Sequence, residues 1–232
     1  MLRRWGSHVR EHPVLGVLEI TLLWHAVLIA VAEGMPPLAP DWFPDLGATV
    51  VNLVCAAVVL TLLYAWGLQE DVTGRGRRWY LALPVLAIAL SYGLAGIHGG
   101  ALLGSAVSLA LVGINEELYS RGLSLEIARP LGERTAAVLT ATTFGLGHLQ
   151  NYLVFGSPLD DTLEQVVMAG VYGFCLAAAR LRMNTVWPLV VVHALDDWMQ
   201  INSPGRAPDW WQVLTLVFFV AYGLLLTRKQ SA

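Results

Sequence analysis

Apolar residues fill most of the chain in long stretches, separated by short polar or Gly- and Pro-containing segments. A transmembrane helix needs about 20 consecutive, mainly apolar residues, and eight stretches are close to that length or longer. They are Pro13–Ala32, Gly47–Gly67, Trp79–Gly96, Ile97–Ile127, Thr135–Phe155, Leu163–Leu181, Thr185–Ile201 and Trp210–Thr227. The pattern predicts an all-α protein, a polytopic membrane bundle of eight transmembrane helices that forms one domain over residues 1–232.

The composition agrees with a membrane location. Of all residues, 56% are apolar and 13% are charged, whereas about 25% are charged in a typical soluble domain. The net charge of −3 gives no reason to expect a nucleic-acid partner. Cys55 and Cys175 both lie inside apolar stretches, where we expect them to pack as small apolar side chains.

The basic residues are distributed unevenly between the two sides of the predicted bundle. If the eight helices alternate in direction, all of the 14 Lys and Arg residues except Arg206 fall on the side that also holds both termini. The positive-inside rule assigns such a side to the cytoplasm. We therefore expect both termini in the cytoplasm and a multi-pass protein of a bacterial-type plasma membrane.

Ionisable residues inside a bilayer are costly and often functional, and here they cluster in three of the predicted helices. The residues concerned are Glu116, Glu117 and Arg121 in the fourth helix, Phe144 and His148 in the fifth, and His193 and Asp197 in the seventh. Each of these groups contains a pair spaced i, i+4, which places its members on one helix face.

Helix geometry gives the two adjacent glutamates different partners, because neighbouring residues point about 100° apart. Glu117 shares a face with Arg121, so an ion pair is expected there. Glu116 is then left to face a cavity. Asp197 shares a face with His193, so its carboxylate is expected to orient the imidazole ring or to fix its tautomer.

The three motifs, E-E-x-x-x-R, F-x-x-x-H and H-x-x-x-D, resemble those of the CPBP family. These are intramembrane endopeptidases related to the type II CAAX prenyl proteases and to the bacterial Abi proteins. The resemblance covers Glu116 to Asp197, with the motifs in order and on separate helices, and an eight-span layout is also what it implies.

The resemblance implies hydrolysis of a peptide bond within the membrane. Glu116, as general base, and His148 would hold and activate the attacking water, and Glu117 would pair with Arg121 and brace the site. His193 and the residue at position 197 would stabilise the oxyanion. The prenyl proteases typically carry Asn at that last position; here an ionised Asp197 could not donate a hydrogen bond, so Asp197 is either protonated or acts on His193.

Other interpretations stay open at this point. Two Glu and two His residues could bind zinc, although H-E-x-x-H is absent and the resemblance implies no obligate metal, so no cofactor is expected. Intramembrane Glu and His residues also serve proton-coupled transporters, but no inverted repeat is seen. A non-catalytic immunity or scaffold protein is a third class, and chance placement of polar packing residues is a fourth interpretation.

The substrate class follows only from the resemblance. It implies a membrane-embedded or lipidated substrate, such as a prenylated C-terminal peptide or a bacteriocin-like peptide, reached through a cavity that opens laterally or to the cytoplasm. Glu19 and His25 match no motif and are expected to be packing or cavity-lining residues. Asp196 is expected to face away from Asp197 and to line the entry path or the outer lumen. The sequence gives no indication of the oligomeric state.

Overall fold

The computed structural model describes residues 1–35, 39–41, 43–99, 101–205 and 207–228. It is 82% helical, and the described residues contain no strand, which confirms the all-α class. The α-helices are α1 Leu2–Glu11, α2 Pro13–Gly34, α3 Leu46–Trp66, α4 Gln69–Thr73, α5 Leu83–Tyr92, α6 Leu102–Glu116, α7 Leu125–Ala128, α8 Glu133–Gly147, α9 Gln150–Leu153, α10 Leu159–Met183, α11 Trp187–Asn202 and α12 Asp209–Leu226. A π-helical segment, Glu117–Ser124, joins α6 to α7, and 3₁₀ turns occur at Trp79–Ala82, Gly93–Ala95 and Arg129–Leu131.

Each of the eight predicted stretches corresponds to helical structure. The fifth, predicted as one helix from Thr135 to Phe155, is divided: α8 ends at Gly147, and the short helix α9, Gln150–Leu153, follows it. The fourth, predicted to start at Ile97, starts at Leu102, and Gly96 and Gly99 before it have positive φ. Among the described residues, four helices are long and apolar enough to cross a membrane, namely Pro13–Gly34, Leu46–Trp66, Leu159–Met183 and Asp209–Leu226. The chain is therefore a multi-pass membrane protein, while the crossing by all eight segments and the cytoplasmic termini stay predictions.

The central helices pack closely through small residues. Helix α10 lies between α8 and α12, and α6 lies between α3 and α11. A Cβ on Gly145 of α8 would lie only 2.7 Å from the carbonyl oxygen of Val166 and 2.9 Å from the Cα of Gly170, both in α10. Helices in lipid associate largely through such close packing, and here it fixes α8 against α10 next to His148.

The N-terminal helix α1 was not predicted as an element. It packs against α2 and α3, where its Trp5 indole donates to Glu19 at 2.6 Å and its His8 ring lies 3.1 Å from the same carboxylate. The Trp66 indole donates to the carbonyl of Leu2 at 2.9 Å. Glu19 thus has a packing role, as expected, and it fastens α1 to the bundle.

Hydrogen bonds between separate segments hold together the end of the bundle that carries most of the arginines, which we call the arginine-rich end. Here the backbone N–H of Arg77 donates to Met183 at 2.9 Å, Arg180 donates to Glu126 at 3.0 Å and Arg182 donates to Glu133 at 2.7 Å. The described arginines at or beside this end are Arg3, Arg4, Arg10, Arg75, Arg77, Arg78, Arg129, Arg134, Arg180, Arg182 and Arg228.

The opposite end of the bundle, called the far end, has its own connections. The N–H of His98 donates to the carbonyl of Asn202 at 2.7 Å, and the hydroxyl of Ser203 donates to the carbonyl of Tyr92 at 2.9 Å. Two residues of the predicted charge distribution, Arg206 and Lys229, lie outside the described residues.

Candidate active site

The E-E-x-x-x-R motif lies where α6 passes into the π-helical segment. All eight residues of that segment, Glu117–Ser124, are buried. π-Helical turns are rare and often occur at functional sites. Within this turn, Arg121 Nη1 lies 3.0 Å from Glu117 Oε1, and both side chains are 0% exposed, so the ion pair that the spacing predicts is present and fully buried.

His193 on α11 is surrounded by three carboxylates. Its Nδ1 lies 2.8 Å from Glu117 Oε1, so the oxygen that pairs with Arg121 also accepts a hydrogen bond from the imidazole. On the other side of the ring, Nε2 lies 3.6 Å from Glu116 Oε2 and 3.6 Å from Asp197 Oδ2.

The partner that orients the His193 ring is therefore different from the expected one. Glu117, on another helix, is at hydrogen-bond distance from Nδ1, whereas Asp197 is 3.6 Å from Nε2, beyond a hydrogen bond. The spacing within α11 places Asp197 on the correct face, but the approach of α6 to α11 supplies a closer carboxylate. Nε2 is thus directed toward Glu116 and Asp197.

His148 follows the last turn of α8, where its ring has a defined hydrogen bond. Its Nδ1 lies 3.0 Å from the carbonyl oxygen of Phe144, and since a carbonyl only accepts, Nδ1 carries the proton. In the neutral ring, Nε2 then holds the lone pair. The structure therefore supplies a half-buried imidazole that can accept a proton or a hydrogen bond at Nε2.

Phe144 connects the three motifs through its aromatic ring. It makes edge-to-face contacts with His148, at a centroid distance of 5.0 Å, and with His193, at 6.4 Å. The Arg121 guanidinium lies over the same ring, 4.1 Å from its centroid, within the range of a cation–π contact. Phe144 thus fixes the spacing between groups from α8, α11 and the π-helical segment.

A cavity of about 880 Å³ adjoins these groups. Its inner wall contains Phe144, His148, Tyr172, His193, Asp196 and Asp197. Glu116 and Glu117 are not part of this wall; Glu116 lies beside His193 with 17% of its side chain exposed, and Glu117 is 0% exposed. Of the sequence-predicted residues, the structure thus places His148, His193 and Asp197 on the cavity wall. Glu116, which was expected to face a cavity, lies outside this wall beside His193, and Glu117 and Arg121 are fully buried.

Tyr172 contacts a site residue and Asn115 directly precedes one, and the motifs did not identify either as part of the site. The Tyr172 ring contacts His193 edge-to-face at 5.8 Å, and no hydrogen-bond partner of its hydroxyl is found among the described residues. Asn115, next to Glu116, accepts a hydrogen bond from the Trp24 indole and donates one to Asn52, both at 2.9 Å. A polar residue at 115 in an apolar stretch was the available signal; for Tyr172 there was none.

The remaining ionisable residues have structural partners. His25 Nδ1 lies 2.9 Å from Gln150 Oε1, which agrees with its expected packing role. Asp196 accepts a hydrogen bond from Gln200 at 2.9 Å and lines the cavity. Among the described residues, no group of three or more His, Cys, Asp or Glu side chains is arranged to hold a metal ion.

Comparison with protein families gives a match over the part of the chain that holds the site. Residues 98–199 match the family model described as type II CAAX prenyl endopeptidase Rce1-like, and this range contains every residue of the three motifs. Comparison with curated proteins and with solved structures gives no match.

Proposed function

Because the chain, through residues 98–199, belongs to the Rce1-like family of type II CAAX prenyl endopeptidases, we propose that it hydrolyses a peptide bond of a membrane-associated peptide or lipidated protein by means of a Glu116-activated water. The observation that supports this most strongly is the arrangement around His193. Glu117 holds Nδ1 of its ring, while Nε2 is directed toward the partly exposed Glu116.

Glu116 is the proposed general base. Its side chain is 17% accessible, and we propose that a water molecule reaches it. The carboxylate accepts a proton from this water while the oxygen attacks the substrate carbonyl carbon. His148 positions the same water by accepting a hydrogen bond at Nε2. General-base assistance of this kind contributes about 10²–10⁴-fold to a rate.

His193 is the proposed oxyanion donor. When doubly protonated, it donates from Nδ1 to Glu117 and from Nε2 to the oxygen of the tetrahedral intermediate. The C–N bond then breaks, and Glu116 returns its proton to the leaving amine. Asp197 lies on the Nε2 side, where we propose that it positions this donor; since His193 supplies the proton, no Asn is required at position 197.

We further propose that the water is activated without a metal ion, that all eight segments cross the membrane and that both termini lie in the cytoplasm of a bacterial-type cell. The arrangement of the described donors, which offers no three-ligand site, supports the first. The presence of helices at all eight predicted stretches and the arginine-rich end support the second and third.

The test is a cleavage assay in H₂¹⁸O. Wild type, His193→Gln and His98→Gln are purified in detergent and incubated with a library of apolar membrane peptides, and the products are analysed by mass spectrometry. His98 is exposed and lies at the far end, outside the site, so His98→Gln is the matched control. We expect wild type and control to form fragments with one ¹⁸O in the new carboxylate, and His193→Gln to be slower by about 10²–10³-fold, as for loss of an oxyanion donor.

Two results would contradict the proposal. Fragments without ¹⁸O would show that water is not the nucleophile. Equal cleavage by His193→Gln and wild type would show that His193 has no role in the reaction.

A further inference from the structure

We infer that substrate reaches the candidate active site from the far end of the bundle, so that the substrate class is a peptide or protein segment exposed on the non-cytoplasmic face of the membrane. This inference rests on the proposed function and specifies its substrate. It differs from the sequence-based expectation of a cavity open laterally or to the cytoplasm.

The outer wall of the cavity is formed at the far end. Its residues come from the end of α5, the first turns of α10 and α12, the last turn of α11 and the loop that follows α11. They include Leu94, Asp161, Gln200, Pro204 and Trp210, all of which are exposed. By contrast, Phe144, Tyr172, His193 and Asp196 on the inner wall are buried. The cavity therefore leads from the far end inward to His193.

Two long helices separate this mouth from the arginine-rich end. At 1.5 Å per residue, Asp161 at the mouth is about 31 Å from Arg182 along α10, and Trp210 is about 27 Å from Arg228 along α12. The hydrocarbon core of a bilayer is about 30 Å thick. Mouth and arginine-rich end therefore lie near opposite surfaces of the membrane.

Packed side chains close the other side of the site. Between the Glu117–Arg121 pair and the arginine-rich end lie Leu125, Met183 and Val186, each 0% exposed. Arg180, also 0% exposed, bonds there to the carbonyl of Asp71 and to Glu126. This packed layer lies on the side of His193 that faces the arginine-rich end, whereas the cavity joins His193 to the far end.

The charge distribution indicates on which side of the membrane the mouth lies. The described arginines named above lie at or near the closed end, and the described residues of the mouth include no Lys or Arg. Since the positive-inside rule places the arginine-rich end in the cytoplasm, the mouth faces away from it. This mouth therefore takes substrate from the non-cytoplasmic side.

Cysteine accessibility tests this inference without any need for proteolysis. Both native cysteines are 0% exposed, so wild type is the unlabelled control. Three variants each add one cysteine: Met168→Cys on the cavity wall, Leu94→Cys at the mouth, where the side chain is 88% exposed, and Ser7→Cys on the exposed face of α1. Each is treated with a small, charged, membrane-impermeant thiol reagent, in right-side-out and in inside-out vesicles.

We expect Met168→Cys and Leu94→Cys to react at least tenfold faster in right-side-out vesicles, and Ser7→Cys to react at least tenfold faster in inside-out vesicles. Faster labelling of Met168→Cys in inside-out vesicles would overturn the inference. If Met168→Cys does not fold, the same comparison is made with Leu94→Cys. Because labelling requires no cleavage, a failure here is distinct from a failure of the proposed hydrolysis.

Discussion

The adjacent residues Glu116 and Glu117 occupy different environments. Glu117 is 0% exposed and contacts both Arg121 and His193. Glu116 has 17% of its side chain exposed, and its nearest ionic partner, His193 Nε2, lies 3.6 Å away. This difference supports the proposed chemical role for Glu116 and a structural role for Glu117.

Removal of the charge of Glu117 is expected to destabilise the protein. In Glu117→Gln, the guanidinium of Arg121 is left buried without a counter-charge, and breaking such a pair costs about 3–5 kcal/mol. Thermal unfolding in detergent measures this. Glu116→Gln is the matched control, since it leaves the buried pair intact and should unfold near the wild-type temperature. Equal unfolding temperatures for Glu117→Gln and wild type would show that the buried pair does not stabilise the fold.

Tyr172 allows the contribution of its ring to be separated from that of its hydroxyl. The ring contacts His193, whereas no partner of the buried hydroxyl is found among the described residues. Tyr172→Phe should keep full activity, because it retains the ring. Tyr172→Ala should lower kcat/KM by about 10²-fold, the effect of a small misplacement of a catalytic group. Loss of activity in Tyr172→Phe would instead assign a role to the hydroxyl.

Individual contacts of the site differ in whether they could be predicted from the sequence. The Glu117–Arg121 pair could be predicted, because both residues lie on one helix and their spacing sets their separation. The Glu117–His193 hydrogen bond could not, because it joins two helices and depends on how α6 and α11 are rotated about their axes. Tyr172 could not be identified for the same reason.

At the scale of elements, the π-helical segment and the α8–α10 interface position the site. The segment Glu117–Ser124 continues α6 without a break, so the apolar pattern predicted a helix there but not its wider turn. The interface was not predicted from the sequence either, since a glycine in an apolar stretch does not show which helix it faces.

The α8–α10 interface provides a matched pair of substitutions. A Cβ at Gly145 would lie 2.7 Å from a backbone oxygen of α10, whereas a Cβ at Gly170 would have its nearest neighbour at 3.7 Å. We expect Gly145→Ala to destabilise the protein by about 1–3 kcal/mol, as overpacking does, and Gly170→Ala to be neutral or stabilising, since alanine favours helix. Unfolding temperatures in detergent measure both. Equal effects of the two substitutions would contradict the packing described here.

At the scale of the whole molecule, much of the architecture could be predicted from the sequence. Hydrophobic length located all eight helical stretches, and the distribution of arginines separated the two ends of the bundle. The position of the cavity could not be predicted, because it depends on which helices leave a gap. Helix α1 was missed because the search for long apolar stretches passes over a short helix with charged residues such as Arg3 and Arg10.

Treatment of the intact protein with a chelator tests whether cleavage requires a metal ion. No three His, Cys, Asp or Glu side chains among the described residues are arranged to hold a metal ion. We therefore expect the rate of peptide cleavage to change less than twofold after dialysis against a chelator, with no metal retained by elemental analysis. A loss of activity that zinc restores would show that a metal activates the water.

The most direct measurement is kcat for Glu116→Gln, with Glu133→Gln as control. Glu133 forms an ion pair with Arg182 at the arginine-rich end, and 45% of its side chain is exposed, so its substitution leaves the site unchanged. If Glu116 activates the water, Glu116→Gln lowers kcat by about 10²–10⁴-fold and unfolds near the wild-type temperature, while Glu133→Gln keeps full activity. Cleavage by Glu116→Gln at the wild-type rate would contradict the assignment of Glu116 as the base.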